Sequence, residues 1–381
     1  MNMLFARFAC LPLMLRWFRY CAKTLCWGLM ASLLLLGCAT NQPNVFKLTP
    51  PDIQGENKEM TWPTKDQVEV PRFLYLGELR GEENFQKAEG IGTIRKVISW
   101  LADFIFGEAV PVILQRPQSG LVDESGRIFV TDTSRQAVYV FDQKLGRMDV
   151  WEQAVGNIHF SSPTGIALGM EGDVFVADSN LGFVVRLNAK GENVGVIGDG
   201  VLKRPVGVAF DALLGLLYVA DTYDHDIKVF DAEGNLLHML GHGGDGVGDF
   251  NFPTYITLNQ NELYVVDSMD AQIHVLDTVT GDPKRQFGER GLNIGNLVRP
   301  KGVALDSERN VYIVESYYDH LLVYNQKAEL LLPIGGTGQN PGQFYLPAGV
   351  WIDKSDKVYV ADMFNGRVSV FQFLSGVQSS E

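Results

Sequence analysis

The phrase Tyr218-Val219-Ala220-Asp221, with Phe230 nine residues after the acid, returns with small changes along most of the chain. Its other copies are Phe129…Asp132…Phe141, Phe175…Asp178…Leu187, Tyr264…Asp267…Leu276, Tyr312…Glu315…Tyr324 and Tyr359…Asp362…Phe371. In all six an aromatic residue stands three before the acid and a large apolar residue nine after it. About fifteen residues before each acid is a proline: Pro117, Pro163, Pro205, Pro253, Pro300 and Pro347. Prolines and acids both recur every 42 to 48 residues, and self-similarity at that period marks a repeat architecture.

Within one repeat, short runs rich in Val, Ile, Leu and aromatics alternate with Gly, Asp and Asn. In the third these runs are Gly207–Phe210, Leu216–Ala220, Ile227–Asp231 and Leu236–Leu240, the pattern of strands joined by tight turns. Four strands per repeat, six times, predict an all-β fold, a six-bladed β-propeller. The motif Pro-x-Gly-Val-Ala…Tyr-Val-Ala-Asp…Phe-Asp…Gly closely resembles the NHL-repeat family over residues 70–374. The Gly-His and Trp-Asp pairs of WD40 propellers are missing.

Each recurring residue has a physical reason. Proline presets φ at the start of the first strand, where no ladder bond is needed. Glycine two residues later, in four of the six repeats, permits close approach of backbones near the axis. The acid can accept backbone N–H bonds in the turn that follows, so six acids in equivalent places read as turn caps and not as one metal site. The sixth repeat stops soon after Phe371 with three strands, whereas Phe73-Leu74-Tyr75-Leu76 reads as an isolated last strand. The expectation is that Phe73–Leu76 completes the sixth blade and removes its open edge.

Ahead of the repeats, residues 1–37 hold Arg7, Arg16, Arg19 and Lys23, no acid, and an apolar run from Trp27 to Leu36, as a secretory signal does. The ending Leu35-Leu36-Gly37-Cys38 resembles the lipobox of bacterial lipoproteins. That resemblance implies lipidation of Cys38 and, with Ala39 next, outer-membrane sorting in a Gram-negative cell. A signal anchor with an incidental cysteine is the alternative. Residues 38–69, with Pro43, Pro50, Pro51 and Pro63 among polar neighbours, read as a flexible linker on which Trp62 either docks or stays free. Residues 86–112 break the repeat. There Ile94, Val97, Ile98, Leu101, Phe104 and Ile105, widened by Trp100, recur at helical spacing, which predicts one short amphipathic helix over 93–106. Residues 375–381 form a C-terminal tail.

Composition narrows the chemistry. The net charge is −13, and an acidic surface repels phosphate backbones, so nucleic acid is not an expected partner. All four cysteines lie at or before Cys38, so the repeats carry no thiol chemistry. The glycine runs at 241–246 and 335–338 lack the Lys-Ser/Thr of a phosphate loop and read as connectors between blades. Among NHL-like propellers, the peptidylglycine lyases gather zinc-binding histidines at the axis; here only His159, four residues before Pro163, lies near a mouth. No catalytic residue, metal site or cofactor is assigned. The residues before the prolines are Arg116, Ser162, Arg204, Phe252, Arg299 and Leu346. Arg116, Arg204 and Arg299 come from alternate blades and would surround one mouth as an anion or ligand site, or else pair locally.

These readings converge on a monomeric, exported propeller, anchored through Cys38 at the cell envelope. It would bind a protein, peptide or glycan by a propeller face or by the 93–106 helix. The alternative is a metal-dependent hydrolase or lyase with its site at the axis.

Overall fold

The computed structural model describes residues 44–50, 59–64, 70–86, 110–244 and 246–374. Cys38, the 93–106 helix and the tail lie outside them.

Six antiparallel sheets follow one another in chain order, each beginning with the strand nearest the axis. The inner strands are Pro117–Val122, Pro163–Leu168, Pro205–Asp211, Pro253–Asn259, Pro300–Leu305 and Val350–Ile352. Each neighbours the next, and the last returns to the first, so the ring is closed. Blade 3 shows the pattern: Pro205–Asp211, Leu216–Asp221, Asp226–Phe230 and Leu236–Leu240, with Pro205 opposite Asp221. The core lies between blades. Tyr218 and Val229 of blade 3, for example, pack with Ile256 and Val265 of blade 4.

Blade 6 is completed by the N-terminal strand. Phe73–Leu79 pairs with Arg367–Phe373, as the sequence leads one to expect, and runs three residues further. A buried ionic clamp reinforces the joint. Arg367 Nε donates to Asp362 at 2.7 Å and its Nη1 to Glu78 at 2.5 Å, while Tyr75 donates its hydroxyl to Glu78 at 2.9 Å.

Part of the 38–69 segment packs against this blade. Thr61–Trp62 adds a fifth strand beside Phe73–Leu74, and the Trp62 ring meets Phe371 edge-on at 5.4 Å. Val45–Phe46 pairs with Phe85–Gln86, and Thr49 exchanges two backbone bonds with Glu78. Gly77 makes this crossing possible: its φ is +133°, and a Cβ there would stand 2.5 Å from the Thr49 carbonyl oxygen. Trp62, Leu48 and Phe46 supply the apolar contacts that the prolines of this segment obscure in the sequence. The ends of the 86–112 insertion are pinned together, with Glu82 N donating to Val112 O and Leu114 N to Arg80 O.

The six acids do more than cap turns. Asp132 accepts from the backbone N–H groups of Ser134 and Arg135 in the following turn, and also from Gln115 and Arg116 ahead of the proline. Asp178 repeats the pattern with Asn180, Leu181, Ser161 and Ser162. Each carboxylate is fully buried, and all but Asp221 staple the loop leading into their blade to the turn after the second strand; Asp221 joins the lead-in N–H groups of Lys203 and Arg204 to Lys228 Nζ instead. Glu315 does the same with Val298, Arg299 and Tyr317 despite its extra methylene.

Candidate binding face

The staples define one face of the ring, built from the loops before the prolines and the turns after the acids. Two residues past each acid, at the crest of the turn, stand Ser134, Asn180, Tyr223, Met269, Tyr317 and Phe364. The four large ones are exposed: Tyr223 by 54%, Met269 by 57%, Tyr317 by 58% and Phe364 by 45%. Tyr318 meets Tyr317 edge-on at 5.0 Å, and Tyr345 meets Phe364 at 5.5 Å. Buried carboxylates below hold these rings in the open.

The three arginines before the prolines share this face. Arg116 lies over the Phe364 ring at 5.1 Å, and Arg204 over Tyr223 at the same distance. Arg299 donates from Nε to Ser316 Oγ at 3.0 Å and from Nη2 to the Ser316 carbonyl at 3.2 Å. Among the described residues none of the three pairs with a carboxylate. His159 is not brought to them. It is exposed, in a two-residue strand paired with Gln153–Val155, and that hairpin lies beside the outer strand of blade 2.

The axis between the inner strands is crossed by one side chain. Tyr255 of blade 4 donates its hydroxyl to Gln118 of blade 1, to the backbone oxygen and to Oε1, both at 3.3 Å. Burial pushes this phenol well above the ordinary tyrosine range. Beyond it, toward the far ends of the inner strands, is a cavity of about 350 Å³ whose lining includes Phe210, Leu258, Asn259, Leu305 and Trp351. No group of three or more His, Cys, Asp or Glu with metal-binding geometry occurs among the described residues.

Comparison with known proteins bears on this ring of repeats. A family described as "6-bladed beta-propeller" matches residues 210–287. NHL repeat-containing protein 2 of Bos taurus is 35% identical over 156 residues, 32% of this chain and 21% of that protein. The chain is a six-bladed β-propeller, part of which is similar to an NHL-repeat protein. The streptogramin B lyase structure aligns with this propeller at a TM-score of 0.53, with 15% identity over 68% of this chain and 94% of that one. A gluconolactonase from Xanthomonas campestris aligns at 0.53, with 12% identity over 69% and 90%. At such identities the two structures share the fold alone. The match to the bovine protein spans about a fifth of that protein's length.

Two residues of the propeller escape a reading by motif, although the same spacing finds them. One residue past each proline come Gln118, Thr164, Val206, Thr254, Lys301 and Ala348, of which Lys301 alone is charged. Two past come Ser119, Gly165, Gly207, Tyr255, Gly302 and Gly349, of which Tyr255 alone is large. A Cβ on Gly207 would stand 2.3 Å from the Thr254 carbonyl oxygen, which shows how tight this column is elsewhere.

Proposed function

We propose that this propeller is an exported binding module, tethered to the cell envelope through a lipid on Cys38, that captures a protein partner on the proline-side face. One observation carries the reading: Tyr223, Met269, Tyr317 and Phe364 stand exposed in equivalent turns, with Arg116 and Arg204 stacked on two of the rings. Exposed tyrosine, methionine, phenylalanine and arginine held on rigid turns make the composition of an interface hot spot. Surface stacking orders the arginines in advance, so little side-chain entropy is lost on binding. The leader ending Leu35-Leu36-Gly37-Cys38 supports the tether.

The test is crosslinking and co-purification from native membranes with the full chain, its Tyr223→Ala/Tyr317→Ala variant, and an Ile98→Asp/Leu101→Asp variant. Loss of the partner in the first variant, with unchanged melting, supports the face. Loss only in the second moves the site to the 93–106 segment, and recovery of a glycan instead of a protein overturns the partner class. Cys38→Ala should shift the protein out of the membrane fraction; an unchanged fraction would refute the tether.

A further inference from the structure

We propose that Lys301, with Arg299 two residues before it, forms an anion-holding floor at the mouth of the proline-side face, and that the partner presents an acidic peptide segment to it. The proposal rests on the reading of that face as the partner site. Lys301 lies between Pro300 and Gly302 in the inner strand of blade 5, one step nearer the mouth than the level at which Tyr255 crosses. Its side chain is half-buried and makes no hydrogen bond or ion pair among the described residues. An ammonium withdrawn from water without a partner is unfavourable, and a second cation nearby makes it more so. Burial and then the Arg299 charge hold this amine below the ordinary lysine range. A carboxylate brought to the mouth would relieve both penalties at once.

The surroundings select the class of anion. In a chain of net −13, Arg116, Arg204 and Arg299 on this face all lack carboxylate partners among the described residues, so the mouth is a cationic island. The negative remainder disfavours a polyanionic nucleic acid, whose phosphates would meet it on every side. The exposed rings of Tyr223 and Tyr317 offer apolar contact that a free inorganic anion would leave unused. A peptide with alternating acidic and aromatic residues satisfies both features.

Fluorescence anisotropy on the full chain tests this, using a fluorescein-labelled peptide of alternating glutamate and phenylalanine. A glutamine-for-glutamate copy and a single-stranded RNA of equal length serve as comparisons. Lys301→Met should weaken the acidic peptide about tenfold or more, Lys301→Arg should retain it, and the glutamine copy should not bind. Equal binding by folded Lys301→Met, equal binding of the glutamine copy, or tighter binding of RNA would each overturn the proposal. Should Lys301→Met fail to fold, the wild-type chain with ¹³C-methylated lysines decides: the Lys301 resonance, assigned from Lys301→Arg, must move when the peptide is added. If Tyr223→Ala/Tyr317→Ala loses the membrane partner while Lys301→Met binds the peptide normally, the face stands and the acidic ligand falls. If Lys301→Met loses the peptide while the tyrosine variant keeps the partner, the face falls.

Discussion

Tyr255 and Gln118 face each other from opposite blades and close the axis with a hydroxyl shared between two oxygens. In four of the other five blades the Tyr255 position is glycine, so this one side chain converts a channel into two separate mouths. Tyr255→Phe should cost about 1 kcal/mol, the loss of a buried hydrogen bond. Tyr255→Ala should cost about 3–5 kcal/mol by also opening a cavity. Urea unfolding of the three proteins measures both, and near-equal costs would mean that the hydroxyl carries the effect.

The closing joint of the ring should be sensitive to Arg367. Arg367→Met leaves Asp362 buried without its cation and takes the buried one of two from Glu78, at a cost of about 3–5 kcal/mol. Arg80 touches the same Glu78 but is 42% exposed, so Arg80→Ala should cost less than about 1 kcal/mol. Hydrogen exchange should accelerate first in Phe73–Leu79; uniform acceleration over all blades would contradict a local clamp.

Blade 3 carries a different buried cluster. Lys228 Nζ donates to Asp221, Asp224 and Asp226 at 2.8–2.9 Å. Burial opposes its charge, yet these bonds hold the amine above the ordinary lysine range. Lys228→Met should therefore cost about 3–5 kcal/mol at neutral pH. Burial also pushes Asp226 up, against the pull of Lys228. In the variant that carboxyl takes a proton on mild acidification, and part of the loss should be recovered. A loss unchanged by acid would show that repulsion among these carboxylates is not its cause.

Alkali should unfold the propeller in a characteristic way. Burial pushes the phenols of Tyr139, Tyr218 and Tyr264 up to about 12 from the ordinary 10.0. Below pH 10 these groups are protonated in both folded and unfolded chains, and their contribution is constant. Between 10 and about 12 the unfolded chain has already released protons that the folded chain keeps, so stability falls as pH rises. Absorbance at the tyrosinate band and circular dichroism should change together for this buried set. Ionisation well ahead of unfolding would show that the rings are accessible.

The blade count and the closing strand were legible in the sequence because both depend on local spacing. An aromatic three before an acid, and a proline about fifteen before it, repeat often enough to act as a ruler. The docking of Trp62 was legible only as one of two alternatives, since its partners Tyr75 and Phe371 come from elsewhere in the chain and prolines mask the segment. The arginines before the prolines were found, but what holds them was not. Phe364 and Tyr223 supply stacking surfaces where a neighbouring acid was the simpler expectation, because the acids are engaged by backbone N–H groups. Glu315 is the one glutamate among the six acids, yet its carboxylate reaches the same lead-in loop.

The joint between Phe73–Leu79 and Arg367–Phe373 has a consequence for synthesis. Phe73–Leu79 waits, with one edge unpaired, for a partner made only after all the intervening blades. A chain halted anywhere before Arg367 cannot form the clamp, so closure of the ring depends on synthesis having passed that residue. Until Arg367–Phe373 is made that edge stays open, and a shorter product displays it to whatever removes failed chains.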